Sequence, residues 1–241
     1  MTTATTLATR LADVRARIAA ACERAGRDPA GVTLVGVSKT QPPEAVREAL
    51  AAGLVDLGEN RAQDLLEQAE AASTAGLAPR WPTPRWHFIG HLQRNKVRDV
   101  LPHIAALHSL DSARLIEEIE RRWEARPAGA LAGASDRLPC YLEVNVGGEA
   151  QKSGVAPADV PALLAAASAS RAIEVAGLMT VAPQVPDPEQ ARPVFRTLRA
   201  LAEAHGLTGL SMGMTEDYAV AIEEGATIVR VGRAIFGERR T

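Results

Sequence analysis

The amine of Lys39 is the most informative side chain in this sequence, because it ends the apolar run at 32–39. A desolvated lysine loses its proton readily and then attacks aldehydes, so a lysine at the mouth of a barrel suits Schiff-base chemistry. A lysine just past a strand is also commonly a solvated loop residue. The choice between these interpretations depends on which other residues the fold brings beside it.

A second group of candidates lies in the run at 210–215, where a turn at Gly213 precedes a predicted helix. Free backbone N–H groups and the helix dipole favour an anion at such a place. The alternative is that Thr215 only caps the helix and Gly213 only allows a tight turn. The candidates for a phosphate cradle are Ser211, Met214 and Thr215.

Two acidic residues, Glu216 and Asp217, follow this turn in the first turn of the predicted helix. The helix dipole favours carboxylates there by itself. A carboxylate that faced the turn would repel a phosphate, so we expect both side chains to point away if the cradle is real.

A third group ends the run at 227–232, where strand alternation places Arg230 and Gly232 on one face. Gly232 has no side chain, so a ligand can approach its backbone. Arg230 could donate a hydrogen bond to a ring nitrogen or an anion one layer deeper. The structural alternative is that Arg230 pairs with a buried acidic residue such as Glu59.

Eight short apolar runs alternate with amphipathic helical stretches, which is typical of a parallel sheet covered by helices. The predicted strands are 32–39, 54–59, 85–90, 106–110, 140–146, 173–181, 210–213 and 227–232. The predicted helices between them are 43–52, 61–75, 93–101, 112–124, 157–168, 187–205 and 216–224. Eight such strands favour a (β/α)8 TIM barrel, although a doubly wound sheet would give a similar pattern.

The residues before the first strand form one more amphipathic helix at 5–24, with Leu7, Leu11, Val14 and Ile18 on one stripe. Only 233–241 follow the eighth strand, too few for a full covering helix. We therefore expect the N-terminal helix to complete the outer helical ring. The loop-like segments 76–84 and 127–138 fall within repeating units, so the sequence predicts one domain over 1–241.

Composition excludes several classes of partner. The 241 residues carry 27 basic and 29 acidic side chains, so nothing suggests a nucleic-acid or membrane partner. Cys22 and Cys140 lack the spacing of a metal site or a disulfide framework, and the histidines lack the spacing of a zinc site. No signal peptide or membrane span is indicated. We expect a cytoplasmic protein with a small ligand and no metal.

Barrel closure makes the first and eighth strands neighbours, so the three groups of candidates would lie near one another. Together they supply an amine, a phosphate cradle and a partner for a ring nitrogen. These are the groups that pyridoxal 5′-phosphate (PLP) requires.

Seven ordered motifs resemble those of the pyridoxal phosphate homeostasis proteins, single-domain relatives of the fold-type III alanine racemase barrel. The resemblance extends over nearly the whole chain. The matching stretches are 35–40 (VGVSKT), 58–60 (GEN), 86–96 (WHFIGHLQRNK), 145–154 (NVGGEAQKSG), 177–180 (GLMT), 211–215 (SMGMT) and 229–237 (VRVGRAIFG).

The resemblance implies roles for particular residues. Lys39 would hold PLP as a Schiff base, and Arg230 would face the pyridine nitrogen. Asn60 and Met179 would line the cofactor. The family often has Ser in place of Thr215, a change that keeps the hydroxyl. The residues around the phosphate would be Ser211, Thr215, Gly232 and Arg233.

The function implied by the resemblance is a monomeric PLP carrier that supplies apo-enzymes and has no catalytic residues. An Arg beside the pyridine nitrogen disfavours its protonation and weakens the cofactor as an electron sink. Racemases of this barrel type also need a second acid/base from a C-terminal domain, which the sequence to Thr241 lacks; His87 and Tyr218 are the local candidates. The alternatives are a weak amino-acid racemase and a phosphate-binding isomerase that uses Lys39 as a base.

Overall fold

The computed structural model describes residues 6–74, 82–125, 136–149, 152–214 and 216–237. Eight parallel strands close into a barrel in chain order, and the first strand is hydrogen-bonded to the eighth. The strands are β1 (Thr33–Val37), β2 (Asp56–Glu59), β3 (Arg85–Phe88), β4 (Ile104–Leu110), β5 (Leu138–Glu143), β6 (Ile173–Met179), β7 (Gly209–Ser211) and β8 (Ile228–Val231). The predicted (β/α)8 barrel is confirmed, and the doubly wound alternative is wrong.

Helices lie outside the sheet, as the alternating pattern predicts. They are α1 (Leu7–Arg24), α2 (Pro43–Ala51), α3 (Ala62–Thr74), α4 (Val97–Val100), α5 (Ala113–Glu124), α6 (Val160–Ala169), α7 (Arg192–Ala204), α8 (Tyr218–Glu223) and α9 (Arg233–Phe236). None of these described helices has both the length and the hydropathy of a membrane span.

The helix predicted at 93–101 is broken into short pieces. One 3-10 turn precedes α4 at Arg94–Lys96, and another follows it at Leu101–His103. Pro102 lies inside the second turn, where it has no backbone N–H to continue an α-helix. This correction leaves the barrel unchanged, because the segment still joins β3 to β4.

The N-terminal helix α1 completes the outer ring, as expected. Its apolar stripe is buried and packs against α2, α8 and α9. The guanidinium of Arg15 donates to the carbonyls of Ala52 and Gly53 after α2. On the other side Arg27 donates to the carbonyls of Ile222 and Ala226, at 2.6 and 2.8 Å. The helix therefore fixes the last repeat of the barrel to the first.

Two buried regions lie on opposite faces of the sheet. The outer layer, between strands and helices, is a large apolar core that includes Phe195, Leu115 and Leu57. The barrel interior holds a small apolar cluster of Val35, Tyr141, Met179 and Ile228. Buried polar side chains share this interior, among them Arg230, whose backbone pairs in register with Val35.

Candidate functional site

A cavity of about 720 Å³ opens at the carboxyl ends of the strands, next to β1 and β8. TIM-barrel enzymes place their sites at this end, and small-molecule cavities have volumes of roughly 300–1,000 Å³. The lining residues are Val37, Lys39, Gln41, Ile89, Pro183, Gln184, Val185, Pro188, Met214, Glu216, Asp217, Arg230, Gly232, Arg233 and Gly237. The fold thus gathers five of the predicted site residues around one cavity: Lys39, Met214, Arg230, Gly232 and Arg233.

Lys39 is half-buried in the turn that follows β1. The next residue, Thr40, has a φ of 64°, in the left-handed region that β-branched residues rarely adopt. Such strain persists only where surrounding structure enforces it, and it concentrates at functional sites. The turn at the end of β1 therefore holds Lys39 in a specific position at the cavity.

Glu59 lies fully buried at the end of β2 and interacts electrostatically with Lys39. Its Oε1 accepts a 2.7 Å hydrogen bond from the Ser38 hydroxyl, and its Oε2 has no partner among the described residues. Burial raises the pKa of Glu59 to about 7, although the Ser38 bond and the Lys39 charge oppose the rise. A pKa near 7 lets this carboxyl gain or lose a proton near neutrality.

Arg230 reaches the cavity from the barrel interior, with 4% of its surface exposed. Its Nη1 donates to Ser211 Oγ at 2.6 Å and its Nη2 to the Thr180 carbonyl at 2.9 Å. Burial lowers the pKa of Arg230 to about 10, partly offset by the charges of Asp217 and Glu143, so the guanidinium stays cationic at neutral pH. Among the described residues Arg230 forms no ion pair with Glu59; the buried acids whose charges act on it are Asp217 and Glu143.

Three other predicted residues, Ser211, Met179 and Asn60, are described by the structure and do not line the cavity. The Ser211 hydroxyl is fully buried between Arg230 and His108. Met179 belongs to the interior apolar cluster, and Asn60 follows β2 with its carbonyl packed against Gly90. Thr215 lies outside the described residues. Their contacts with a ligand stay predictions.

A phosphate cradle at this turn required Glu216 and Asp217 to point away, but both line the cavity. The Asp217 carboxylate accepts a 2.5 Å hydrogen bond from the Met214 N–H, and Glu216 pairs with Arg233 at 3.4 Å. Burial raises the pKa of Asp217, although the Met214 hydrogen bond and the Arg230 charge oppose this. The two carboxylates therefore interact with the Met214 N–H and the Arg233 guanidinium, which the sequence analysis proposed as phosphate donors.

The turn at Gly213 does require glycine. Its φ is 90°, and a Cβ atom there would lie 2.5 Å from the Ala221 side chain and 2.9 Å from the Tyr218 backbone. The turn is pressed against α8, which fixes where Met214 leaves the strand. The positive φ shows why this turn needs a glycine, and whether it also binds an anion stays a prediction.

Sequence reasoning missed Glu143, at the end of β5. Its Oε2 is buried without a hydrogen-bond partner among the described residues, and burial and the Asp111 charge raise its pKa to about 7. The sequence could have indicated Glu143, because it is an acidic residue near the end of an apolar run, as Glu59 is. No comparable sequence pattern indicated that Pro183, Val185 and Pro188 form a wall of the cavity.

The histidines and Tyr218 do not supply a base at the cavity. His87 is buried in the barrel interior, and both of its ring nitrogens are hydrogen-bonded. Neither His87 nor Tyr218 lines the cavity. In the described part of the chain, no group of three or more His, Cys, Asp or Glu side chains is placed to hold a metal ion.

The closed eight-stranded barrel is of the type that forms the N-terminal domain of alanine racemase. The sequence model described as "Alanine racemase, N-terminal domain" matches residues 10–240. The pyridoxal phosphate homeostasis protein of Aquifex aeolicus is 44% identical over 237 residues, covering 96% of this chain and 97% of that protein. The one from Escherichia coli K12 is 35% identical over 241 residues, covering 97% of each. The chain therefore belongs to the family of pyridoxal phosphate homeostasis proteins.

Solved structures agree with this assignment. PipY of Synechococcus elongatus, solved with PLP bound, is 31% identical with a TM-score of 0.78, covering 96% of this chain and all of PipY (100%). A protein of unknown function from Bifidobacterium adolescentis is 36% identical with a TM-score of 0.81, covering 95% of this chain and 94% of that chain. Alanine racemase from Corynebacterium glutamicum, 17% identical with a TM-score of 0.59, shares the fold over 95% of this chain and 61% of its own length.

Proposed function

We propose that this protein is a PLP carrier that holds the cofactor as a Schiff base on Lys39 and releases it to apo-enzymes. The convergence of the Lys39 amine and two guanidinium groups, Arg230 and Arg233, on one cavity carries the proposal. The family's name and the PLP-bound PipY structure support it. PLP supplies an aldehyde that condenses with a primary amine, and a phosphate that needs cationic or N–H donors.

The donor set of the cavity fits this ligand. Lys39 provides the amine at one side, and Arg230 provides N–H groups at the base. An arginine has no acceptor atom, so it can only donate to a ring nitrogen. At the rim, Arg233 and the backbone at Gly232 provide the cationic and open surface for the phosphate. We propose supporting contacts from Ser211, Thr215, Asn60 and Met179.

Glu59 is suited to regulate the protonation of Lys39. An ammonium group must give up a proton before its nitrogen can attack an aldehyde. The Glu59 carboxyl interacts electrostatically with Lys39, and its pKa of about 7 means that its charge beside the amine changes near neutrality.

We propose a carrier rather than an enzyme, because the permanently charged Arg230 discourages protonation of the cofactor ring. A weakly activated ring stabilises negative charge at an amino-acid Cα poorly. His87 and Tyr218, the local candidates for a second acid/base, do not line the cavity. We also propose that the chain acts as a cytoplasmic monomer with one domain. Light scattering on the purified protein would test the monomeric state.

The test is a titration of the apoprotein with PLP, followed by visible absorbance. We expect a yellow band that borohydride bleaches, and we expect Lys39→Ala to lack it. Lys96→Ala, which removes an exposed lysine outside the cavity, is the matched control and should keep the band. A wild-type protein that stays colourless would overturn the proposal and favour a phosphate-binding isomerase with Lys39 as its base.

A second assay separates the carrier from a racemase. The PLP-loaded protein is incubated with L-alanine in D₂O, and deuterium at Cα is followed by mass spectrometry. A carrier gives no sustained incorporation of solvent hydrogen. Continued incorporation over many turnovers would make the protein a racemase or a related enzyme.

A further inference from the structure

A continuous row of hydrogen bonds crosses the barrel interior below the cavity. Arg230 Nη1 lies 2.6 Å from Ser211 Oγ, which lies 2.7 Å from His108 Nδ1. His108 Nε2 lies 2.9 Å from His87 Nδ1, and His87 Nε2 lies 2.9 Å from Asp56 Oδ1. Asp56 is the first residue of β2, so the row extends from the cavity to the opposite end of the barrel.

This row is buried along its whole length. Ser211 and His108 have no exposed surface, and the other three residues are each at most 8% exposed. The Tyr141 ring packs on His108, with 4.8 Å between ring centroids. Branched apolar side chains usually fill the interior of a TIM barrel. A buried polar row is tolerated only when its groups satisfy one another, so this departure points to a role.

The chemistry of the two ends sets the direction of donation. Arg230 can only donate, so Ser211 Oγ accepts from it and is free to give its own hydrogen to His108 Nδ1. His108 must then carry its hydrogen on Nε2 and donate to His87 Nδ1. His87 in turn carries its hydrogen on Nε2 and donates to Asp56. Every hydrogen in the row finds an acceptor when both imidazoles are neutral.

The opposite direction of donation, from Asp56 toward Arg230, satisfies fewer hydrogen bonds. A cationic His87 would donate to His108, and His108 would then donate from Nδ1 to Ser211. Ser211 would accept twice, and its own hydrogen would have no acceptor among the described residues. Burial is the largest cause that lowers the pKa of His108 well below its usual value, and the Arg230 charge acts in the same direction, which agrees with a neutral His108 ring.

Asp56 anchors the far end as a carboxylate. Its Oδ2 accepts a 2.6 Å hydrogen bond from Arg85, which is more than half exposed. Burial alone would raise the pKa of Asp56, but the hydrogen bonds from His87 and Arg85 outweigh it and the pKa lies below its usual value. The row therefore ends on a permanent acceptor at neutral pH.

We propose that Asp56, His87 and His108 are positioning residues that act through Ser211 to fix the guanidinium of Arg230 at the cavity, with both imidazoles neutral and protonated on Nε2. Arg230 donates one N–H to Ser211 and one to the Thr180 carbonyl, and its other N–H groups can donate to a ligand. The link to a ligand rests on the proposed function, since it assumes that Arg230 faces the PLP ring.

The first test is ¹⁵N NMR of histidine-labelled apoprotein near neutral pH, with assignments from single His variants. We expect both His87 and His108 to show a hydrogen-bearing Nε2 and a bare Nδ1. A cationic ring, or a hydrogen on Nδ1 in either residue, would overturn the arrangement. This measurement needs no cofactor and reports a tautomer, which a merely space-filling role would leave unspecified.

The second test is the PLP dissociation constant of His108→Phe, compared with Tyr141→Phe as the matched interior control. We expect His108→Phe to weaken PLP binding about tenfold, because a charge-assisted bond to Arg230 loses its support. Tyr141→Phe should change the constant by less than about twofold, because its hydroxyl is outside the row. His108→Asn, whose amide can accept from Ser211, should recover part of the loss.

An unchanged dissociation constant in folded His108→Phe would overturn the positioning role. If His108→Phe fails to fold, His108→Asn and the NMR tautomers still decide the question. Failure of the proposed function would show differently: wild-type protein would not bind PLP, or Lys39→Ala would bind it with the same absorbance. Wrong tautomers in a wild-type protein that binds PLP through Lys39 would contradict this inference alone.

Discussion

The two faces of the barrel sheet bury different kinds of side chain. The outer layer is an apolar core in which Phe195, Leu115 and Leu57 are at most 1% exposed. The interior instead buries a row of imidazoles, a hydroxyl and a guanidinium beside only a small apolar cluster. Apolar burial stabilises a fold, whereas buried polar groups at best offset their own desolvation.

This difference separates stability from function within one sheet. Alternate residues of the same strand serve the two regions, as in β8, where Val229 and Val231 join the outer layer and Arg230 faces inward. Changes in the outer layer should therefore lower the free energy of unfolding and spare ligand binding. Changes in the interior and at the cavity should alter ligand binding and have a smaller effect on the free energy of unfolding.

Deleting residues 1–25 is expected to have the largest effect. It removes α1 and uncovers the apolar surfaces of α2, α8 and α9, so the truncated protein should aggregate on expression. Deleting only residues 1–5, which precede the helix, is the control and should leave a soluble protein. Size-exclusion chromatography and circular dichroism check both. A soluble, folded truncate would contradict the assigned role of α1.

Phe195→Ala should destabilise the protein by about 3–5 kcal/mol, because it opens a cavity in the outer layer. Phe195 on α7 has no exposed surface. Urea unfolding of the apoprotein measures the loss. Under conditions where the variant is folded, its PLP dissociation constant should match the wild type; a large change there would show that the two regions are not separable.

Glu59→Gln should change how stability depends on pH. The folded pKa of Glu59 is about 7, above its unfolded value. The protonated carboxyl therefore makes its full contribution to the free energy of unfolding below the unfolded pKa, and this contribution is lost as pH rises through 7. The loss is at most about 3 kcal/mol. The variant has no carboxyl to titrate at this position. As pH rises from 5 to 8, its free energy of unfolding should therefore increase relative to that of the wild type.

Urea unfolding of the apoproteins across that pH range measures the effect of Glu59→Gln. Glu117→Gln, on the exposed face of α5, is the control and should follow the wild-type curve. Identical pH dependence in wild type and Glu59→Gln would mean that the buried carboxyl does not titrate in this window.

Glu216→Gln is expected to give the smallest effect, a roughly two- to fivefold tighter binding of PLP. The variant frees Arg233 from its 3.4 Å ion pair and removes a negative charge from the cavity. The gain should shrink in high salt, because the groups are exposed. Glu203→Gln breaks another surface ion pair, with Arg199, whose residues do not line the cavity, and should leave the affinity unchanged. Weaker binding in Glu216→Gln would contradict the idea that this carboxylate competes with the phosphate.

The barrel was predictable because its signals are local. Each strand is a short apolar run, and the stripe of α1 is visible in twenty residues. Lys39 and Arg230 could be found because a charged side chain within or at the end of an apolar run is unusual. The break in the helix at 93–101 was missed because short 3-10 turns share the pattern of an α-helix.

The contacts inside the site were not predictable from local patterns. Ser211 and His108 are 103 residues apart, and only the closed barrel brings them within 2.7 Å. The orientation of Asp217 depends on the positive φ of Gly213 and its packing on α8. Such contacts depend on strand register and turn geometry, which one sequence does not reveal.

The most direct test of the account is to reduce the PLP-loaded protein with borohydride and locate the adduct by peptide mass spectrometry. The chain has three lysines, Lys39, Lys96 and Lys152, so the readout is unambiguous. We expect one phosphopyridoxyl group, on the peptide that contains Lys39. An adduct on Lys96 or Lys152 instead, or no adduct after saturation with PLP, would contradict it.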